Sequence, residues 1–365
     1  MSRAEPRARS KHIVSRTSLV VMLLAAVTAC TAADSADPNH ATTTASTTPV
    51  TAPAPSIAAT TSTSSTSTST TTTTTLPVIY TGVLRDVVVA ASLAAVPEGT
   101  PVSSARQDRS PLYGNGCHVG WGATKPKDGC VFGDTSSDVV VVVTGDSHAT
   151  AWFGAFDEAG KANHWKIVTV DKAGCPAADV RVYSAAYTDR FDVPYPACDA
   201  WRENALEYIA LLHPDLVVFP MMSRRGVVGH GGASGLTEWG AGLGRSLDAV
   251  SAPGTKLLVI GDAPKTNGDN IPKCVSNHRN DVAECGNSRV AAVRDNRLAV
   301  LAEAARAHHA TFVDPSNWFC TATFCPAVIG DLVVYRDEHH LTDSFARYRA
   351  PQIANSIRFA LASNP

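Results

Sequence analysis

Apolar runs alternate with stretches of helical periodicity from residue 138 to the end of the chain. The first run, Asp138–Thr144, holds five consecutive valines, which is the pattern of a strand buried on both faces. Similar runs predict further strands at Trp165–Val170, Asp215–Pro220, Lys256–Gly261 and Thr311–Asp314. Helical periodicity predicts helices at Ala149–Asn163, Cys198–Leu212, Leu236–Val250, Asn287–His309 and Asp343–Ala362.

Strands that alternate with helices in this way predict an α/β fold, with a parallel sheet covered by helices on both faces. Residues 138–365 form this predicted domain. Residues 78–137 show no clear periodicity, and we expect a lead-in segment that packs on the core. Functional sites in parallel sheets lie beyond the carboxyl ends of the strands, so the residues after Thr144 are the first candidates.

The N-terminus has the pattern of an export signal over residues 1–29. A basic segment precedes the apolar stretch Ser18–Ala29, which is too short to span a bilayer. The small residues before Cys30 resemble a bacterial lipobox. That resemblance implies a lipid on Cys30, which would anchor the protein to the outer face of the bacterial cell membrane. The alternative is an ordinary secretory signal and a secreted protein.

A linker follows the export signal. Residues 30–77 are mostly Thr, Ser, Ala and Pro, with a nearly continuous Ser/Thr tract from residue 60 to 75. Such a segment buries too little apolar surface to offset its ordering entropy, so we expect it to be disordered. The formal net charge is −2 and no run of Lys or Arg marks a nucleic-acid groove, so nucleic acid is not an expected partner.

The remaining cysteines predict disulfides. Eight follow Cys30, and an even number in an exported chain favours disulfide pairing. Eight cysteines allow 105 pairings. Their grouping along the chain favours four local pairs: Cys117 with Cys130, Cys175 with Cys198, Cys274 with Cys285, and Cys320 with Cys325. Irregular spacing without C-x-x-C argues against zinc, and no nucleotide-binding motif occurs, so we expect neither a metal nor a cofactor.

Two motifs carry candidate chemistry. The first predicted strand runs into Gly145-Asp146-Ser147-His148, and Asp337 precedes His340 by three residues near the C-terminus. A serine hydroxyl is a weak nucleophile until a base takes its proton, and a carboxylate can orient that base. The spacing lets one loop deliver both Asp337 and His340, which favours His340 over His339 as the base. The G-x-S-x-G elbow of the α/β-hydrolases is absent.

From about Cys117 onward, the chain resembles an SGNH (GDSL-type) domain, and within that superfamily the SGNH domains attached to bacterial membrane acyltransferases. The matching segments are Gly145–Ala149, Lys172–Pro176, Cys198–Arg202, Asp314–Pro326 and Tyr335–Thr342. The resemblance implies a flavodoxin-like α/β/α sandwich and a serine O-acyltransferase or esterase acting on cell-envelope carbohydrate. It implies Ser147 as nucleophile, His340 as base and Asp337 as the partner of the base.

The resemblance also implies an oxyanion hole, with Ser147, Gly174 and Ser223 as candidate donors. The superfamily takes donors from a Gly in its second block and from an Asn in a Gly-x-Asn-Asp third block. After its third predicted strand this chain has no such Asn. We expect Ser223 or Arg224 to replace it, alongside the backbone N–H groups of Ser147 and Gly174.

Two functions stay open at this stage. The first is an envelope enzyme that forms an acyl-serine and passes the acyl group to a sugar hydroxyl or to water. A separate membrane acyltransferase is then an expected partner as acyl donor. The second is a catalytically weak SGNH-fold lipoprotein that binds carbohydrate or acts as a scaffold. In either case His148 is expected to form structural hydrogen bonds, and Arg336 either steers an acidic substrate or lies at the surface.

Overall fold

A seven-stranded sheet lies between two layers of helices. The structure is a computed structural model that describes residues 82–184, 193–222, 225–268 and 270–363. The predicted export signal, Cys30 and the Ser/Thr-rich linker lie outside the described residues, as do Ser223 and Arg224. The described residues all belong to one compact unit.

The strands have two to seven residues each. In chain order they are β1 His118–Val119, β2 Val131–Gly133, β3 Val140–Gly145, β4 Lys166–Lys172, β5 Leu216–Pro220, β6 Lys256–Ile260, β7 Asn287–Ser288, β8 Thr311–Val313, β9 Phe324–Cys325, β10 Val328–Ile329 and β11 Leu332–Val333. The main sheet has the order β1-β4-β3-β5-β6-β8, and β2 also pairs with β4. Every pairing in it is parallel except that of β2, which is antiparallel.

The helices are α1 Arg85–Ala90, α2 Leu112–Asn115, α3 Ser147–Asn163, α4 Pro196–Leu211, α5 Gly232–Val250, α6 Ile271–Asn277, α7 Arg289–Ala292, α8 Asp295–Ala307, α9 Asp343–Tyr348 and α10 Ala350–Ala362. Among the described residues, no helix combines the length and the apolar character needed to cross a bilayer. The predicted α/β fold with a parallel sheet is confirmed.

The valines of β3 explain why a continuous apolar run is needed here. Val141 and Val143 pack into the core on the face that holds α3 and α10, whereas Val142 packs into the core on the face that holds α4 and α5. Successive side chains of a strand point to opposite faces, so a strand covered on both sides must be apolar at every position.

Two predicted helices are interrupted. The prediction of one helix over Asn287–His309 is wrong, because residues 287–288 form strand β7 against β9 and the backbone at Val293 is extended. The second, Asp343–Ala362, is split at Arg349 into α9 and α10. Pro351 lacks the N–H that a continuous helix needs at this point. The buried Arg349 side chain pairs with Asp86 at 2.7 Å.

The described part of the lead-in segment contributes to the sheet and to the core. Strands β1 and β2 pair with β4, and Val87 of α1 is fully buried in the same core as β3. The structure contains the four disulfides at the predicted local pairs, and the pair Cys175–Cys198 joins the segment after β4 to α4.

Candidate active site

The first motif forms a tight connection between β3 and α3. Strand β3 ends at Gly145, Asp146 caps the helix and Ser147 is the first helical residue. A Cβ at Gly145 would lie 2.7 Å from the Pro220 carbonyl oxygen, so only glycine lets β3 approach the end of β5 this closely. Ser147 therefore lies at the carboxyl edge of the sheet, where β4 and β5 flank β3 on opposite sides.

Asp146 holds this connection in place. Its fully buried carboxylate accepts hydrogen bonds from the N–H of His148 at 2.9 Å and from the N–H of Met222 at 3.2 Å. The first contact satisfies a donor at the start of α3, as an N-cap does, and the second ties α3 to the segment after β5. Burial raises the pKa of Asp146, and the hydrogen-bond donors offset part of that effect.

The second motif lies on a narrow loop between β11 and α9. Tyr335 and Leu341 form an antiparallel bridge across this loop, and the N–H of Arg336 donates to the His340 carbonyl oxygen at 2.9 Å. Inside it, Asp337 Oδ1 accepts from the N–H groups of His339 at 2.9 Å and His340 at 2.8 Å. The loop thereby points the second oxygen of Asp337 at the His340 ring.

Ser147, His340 and Asp337 form a continuous hydrogen-bonded row. Asp337 Oδ2 lies 2.8 Å from His340 Nδ1, and His340 Nε2 lies 2.8 Å from Ser147 Oγ. A carboxylate can only accept, so His340 carries its proton on Nδ1 and its Nε2 lone pair receives the Ser147 hydroxyl proton. This is the geometry in which a histidine acts as base toward a serine.

The electrostatics of the row keep His340 neutral and Asp337 charged. Burial lowers the pKa of His340, and the hydrogen bond to Asp337 opposes this shift without cancelling it. Burial would raise the pKa of Asp337, but the hydrogen bonds from the His340 ring and the two backbone N–H groups hold it below its usual value. A neutral imidazole beside a charged carboxylate is the form that accepts a proton.

A second hydrogen-bonded row runs beside the first. Asp262 Oδ1 lies 2.7 Å from His148 Nδ1, and His148 Nε2 lies 2.9 Å from His339 Nδ1. His148 is 5% exposed, in agreement with its expected role in structural hydrogen bonds. Sequence reasoning did not single out Asp262. Its position just after β6, at the same carboxyl edge of the sheet, was the available signal.

Both rows border a cavity of about 840 Å³. Its wall contains Ser147, His339 and His340, aromatic residues from the lead-in segment, and positively charged side chains. These other wall residues include Tyr113, His118, Trp121, Arg225, Arg294 and Arg336. The cavity is large enough for a sugar as well as a short acyl group, since typical ligand pockets measure about 300–1,000 Å³.

Gly174 lies in the cavity wall and has a backbone conformation that suits glycine, with φ of +57°. A Cβ at this position would collide with Arg225 Nη2 and with the Trp121 ring. Gly174 and Ser147 thus both reach the cavity, as the predicted oxyanion donors must. The third candidate, Ser223, lies outside the described residues.

Lys172 fixes the loop that carries Trp121. Its Nζ donates to the carbonyl oxygens of Gly120, Trp121 and Ala123 at 2.8, 2.8 and 2.7 Å. Burial lowers the pKa of Lys172 to about 8. The three carbonyls use all three donors of the ammonium group, so Trp121 is held over the end of β4.

The histidines also bring three nitrogens together. One nitrogen each from His148, His339 and His340 lies within 4.8 Å of the other two, and imidazole is a common ligand of Zn²⁺ and Cu²⁺. His148 and His340 already bind carboxylates through one ring nitrogen and hydrogen-bond partners through the other. An ion would have to displace the contacts from His148 Nε2 to His339 and from His340 Nε2 to Ser147, so the arrangement fits a hydrogen-bonded network better than a resident metal.

Comparison with known proteins supports the assignment of the fold. The family model described as an SGNH domain (fused to AT3 domains) matches residues 116–355. No curated protein matches the chain in sequence. Among solved structures, the periplasmic domain of a lipopolysaccharide acetyltransferase from Salmonella ser. Paratyphi A is 16% identical, with a TM-score of 0.51. The match covers 71% of this chain and 98% of that chain, and at this identity it shows the fold alone.

Two carbohydrate esterases align less closely. A carbohydrate esterase family 2 enzyme with a carbohydrate binding domain, from Corynascus thermopiles (Myceliophthora fergusii), is 13% identical over 62% of this chain and 67% of that chain, with a TM-score of 0.39. A carbohydrate acetylesterase from Sinorhizobium meliloti is 12% identical over 60% of this chain and 98% of that chain, with a TM-score of 0.34.

Proposed function

The chain belongs to the SGNH domain family, and on that premise we propose that Ser147, His340 and Asp337 catalyse acyl transfer or hydrolysis on envelope carbohydrate. The observation that carries the proposal is the row of two 2.8 Å contacts from Asp337 through His340 to Ser147. This row borders a cavity of sugar-binding size.

In the first half of the reaction, Ser147 Oγ attacks the carbonyl carbon of an acyl ester while His340 Nε2 takes the hydroxyl proton. Asp337 stabilises the imidazolium that forms. The carbonyl oxygen becomes an oxyanion, which the N–H groups of Ser147 and Gly174 stabilise. When the tetrahedral intermediate collapses, His340 returns the proton to the departing alcohol, and the acyl group stays on Ser147 as an ester.

In the second half, His340 Nε2 takes a proton from an incoming hydroxyl, which attacks the acyl-serine. A sugar hydroxyl yields a new O-acyl sugar, and water yields a free acid. His340 then returns the proton to Ser147 Oγ. The two outcomes differ only in the nucleophile of this step, so the same residues serve an acyltransferase and an esterase.

The proposed location is the cell envelope. Disulfides persist in oxidising compartments, and the four in this structure support export. The predicted lipid on Cys30 would hold the domain at the outer face of the membrane. The family description, which couples this domain to AT3 domains, supports a membrane acyltransferase as the partner that supplies acyl groups.

The experiment is an acyl-ester assay on the purified full chain with p-nitrophenyl acetate, with and without envelope saccharides as acceptors. We expect nitrophenol release, an acyl adduct on Ser147 by mass spectrometry, and loss of both in Ser147→Ala. Asp337→Asn should lower the rate by about 10⁴-fold, as the corresponding change does in serine hydrolases with this geometry. An unchanged rate in Ser147→Ala would contradict the proposed nucleophile.

A second candidate function is carbohydrate binding without turnover. The missing third-block Asn favours it, because the loss of one oxyanion donor raises a barrier by about 2.7–4 kcal/mol. This function predicts saccharide binding with neither nitrophenol release nor an acyl adduct on Ser147. The same assay therefore separates the two functions.

A further inference from the structure

We infer that the substrate of this cavity is an anionic saccharide, and that the guanidinium of Arg225 binds its carboxylate or phosphate group. The inference rests on the proposed function for the identity of the reacting ester. The conclusion that the ligand is anionic depends on the charge of the cavity wall, whichever bond Ser147 attacks.

Arg225 is held rigidly in the wall. Its Nη1 donates to the carbonyl oxygen of Tyr183 at 3.0 Å, its guanidinium carbon lies 5.4 Å from the centre of the Trp121 ring, and its Nη2 faces Gly174. Stacking on Trp121 and one backbone acceptor fix the plane of the guanidinium. This leaves a planar fork of donors beside Gly174, in the same wall as Ser147.

Within the described residues, no carboxylate lies close enough to Arg225 to form an ion pair. The Nε of Arg225 is buried without a hydrogen-bond acceptor in the same part of the chain. Burial lowers the pKa of Arg225, and the attraction of Asp146 offsets only part of that shift. Burying a cation without a partner is costly, so an anion that enters the cavity gains an attraction that a neutral ligand does not.

The other arginines in the cavity wall are also positively charged. Arg294 and Arg336 also line the cavity, and its described lining residues include no Asp or Glu. Arg336 Nη1 lies 3.3 Å from Asp337 Oδ2, so part of its charge is neutralised by the row that contains His340. Three guanidinium groups around one concave, partly apolar cavity focus a positive potential onto it, which attracts anionic ligands.

The cavity is much larger than the smallest anions. An acetate or phosphate ion would fill little of the 840 Å³. A sugar with an acidic substituent fits better. The aromatic side chains of Tyr113, Trp121 and Tyr183 line the cavity and can pack against the sugar ring, while Arg225 contacts the anionic group. Uronic acids and sugar phosphates present the same chemistry to a guanidinium, a planar or tetrahedral anion that accepts two parallel hydrogen bonds.

The test uses matched esters that differ only in the group at C6: an O-acetylated methyl glucoside, the corresponding methyl glucuronide, and the corresponding methyl glucoside 6-phosphate. We measure kcat/KM for acetyl loss by the full chain at low and high salt. We expect one or both anionic esters to exceed the neutral ester by about 10- to 100-fold, the range for hydrogen bonds to charged groups. The more reactive of the two identifies carboxylate or phosphate as the recognised group.

Variants assign the effect to a residue. Arg225→Gln should reduce the ratio of anionic to neutral kcat/KM toward one, and Arg225→Lys should retain part of it because the charge stays while the planar fork is lost. The matched control is Arg306→Gln in α8, whose side chain is 77% exposed and outside the cavity wall, and which should leave the ratio unchanged. Thermal melting shows whether each variant is folded.

Two results would overturn the inference: equal or higher kcat/KM for the neutral ester, or an anionic-to-neutral ratio that is undiminished in Arg225→Gln. If that undiminished ratio accompanies a large loss of kcat/KM for all three esters, Arg225 is part of the oxyanion hole instead. If no ester reacts, the proposed function fails, and calorimetry with the three deacetylated sugars still decides the inference. Binding of an anionic sugar that is lost in Arg225→Gln supports it, and no selective binding refutes it.

Discussion

His148 Nε2 lies 2.9 Å from His339 Nδ1, although 191 residues separate the two histidines in the chain. His148 follows Ser147 at the start of α3, and His339 precedes His340 on the loop before α9. The two imidazole rings also stack, with centroids 5.2 Å apart. This contact connects the loop to α3 beside the proposed Ser147–His340 pair. It therefore helps to fix the distance and orientation of the base relative to the nucleophile.

The pH dependence of activity should reflect the state of His340. Only the neutral ring can take the Ser147 proton, and burial lowers the pKa of His340 below its ordinary value of 6.5. We expect kcat/KM to fall with decreasing pH along an acid limb centred below 6.5, and to be constant above neutral pH. Rates measured with p-nitrophenyl acetate across this range provide the test. A limb centred above 6.5 would contradict the assignment of His340.

His148→Asn should move that acid limb to higher pH. The electrostatic effect of His148 lowers the pKa of His340, and a neutral asparagine does not exert it. The amide can still donate to Asp262, which limits structural damage. His308→Asn is the matched control, because His308 also pairs with a carboxylate, that of Asp248, but lies outside the cavity wall. An equal shift in both variants would exclude a local effect of His148.

Gly174→Ala should abolish most of the activity. The backbone φ of +57° disfavours alanine by about 1–2 kcal/mol, and the added Cβ would collide with Arg225 and Trp121 in the cavity wall. Gly99→Ala is the control, since Gly99 has a φ of +86° with open space around it. We expect Gly174→Ala to lose at least as much stability as Gly99→Ala in urea unfolding, and only Gly174→Ala to lose kcat/KM. Equal activity in the two variants would remove Gly174 from the site.

The Cys175–Cys198 disulfide should stabilise the fold and the site together. It closes a loop of 23 residues and starts next to Gly174. Replacing both cysteines with serine should lower the free energy of unfolding by about 2–4 kcal/mol and reduce activity. The same change at Cys320 and Cys325, which close a loop of only 5 residues, should cost less stability. Urea unfolding and ester assays on both double variants measure the two effects. An active, equally stable Cys175/Cys198 variant would contradict this role.

Metal ions should inhibit rather than support the reaction. Added Zn²⁺ can bind the imidazole nitrogens of His148, His339 and His340, and this would remove the lone pair that His340 offers to Ser147. We expect EDTA to leave the rate unchanged and Zn²⁺ to lower it. His339→Asn should weaken the inhibition by removing one ligand. A rate that falls with EDTA and recovers with Zn²⁺ would instead show a metal-dependent enzyme.

The sheet was predictable because its signal is local. A strand buried on both faces must be apolar at successive positions, and Val140–Gly145 and Leu216–Pro220 meet that condition in sequence alone. The helix predicted over residues 287–309 shows the limit of the same reasoning. Its alanine-rich pattern favours a helix throughout, but pairing of β7 with β9 overrides that preference at the start.

The proposed catalytic residues were also predictable, since short motifs contain them. Asp337 and His340 share one loop, and Ser147 follows a strand that the apolar pattern predicts. The residues that surround them in the site could not be predicted from the sequence. Asp262 follows β6, Arg225 follows β5 and Trp121 belongs to the lead-in segment, and no spacing in the sequence connects them. Arg225 in particular lies one residue beyond the two positions expected to replace the missing Asn.

The sequence by itself determined the family and the parallel sheet, favoured the local disulfide pairs, and supplied the three residues proposed for catalysis, because each depends on neighbours in the chain or on a short motif. Only the tertiary structure decided that a second row, from Asp262 through His148 to His339, runs beside the first, and that Arg225 stacks on Trp121 next to Gly174. These contacts join segments that meet only when parallel strands place their carboxyl ends at one edge, and the order of strands in the sheet sets which segments those are.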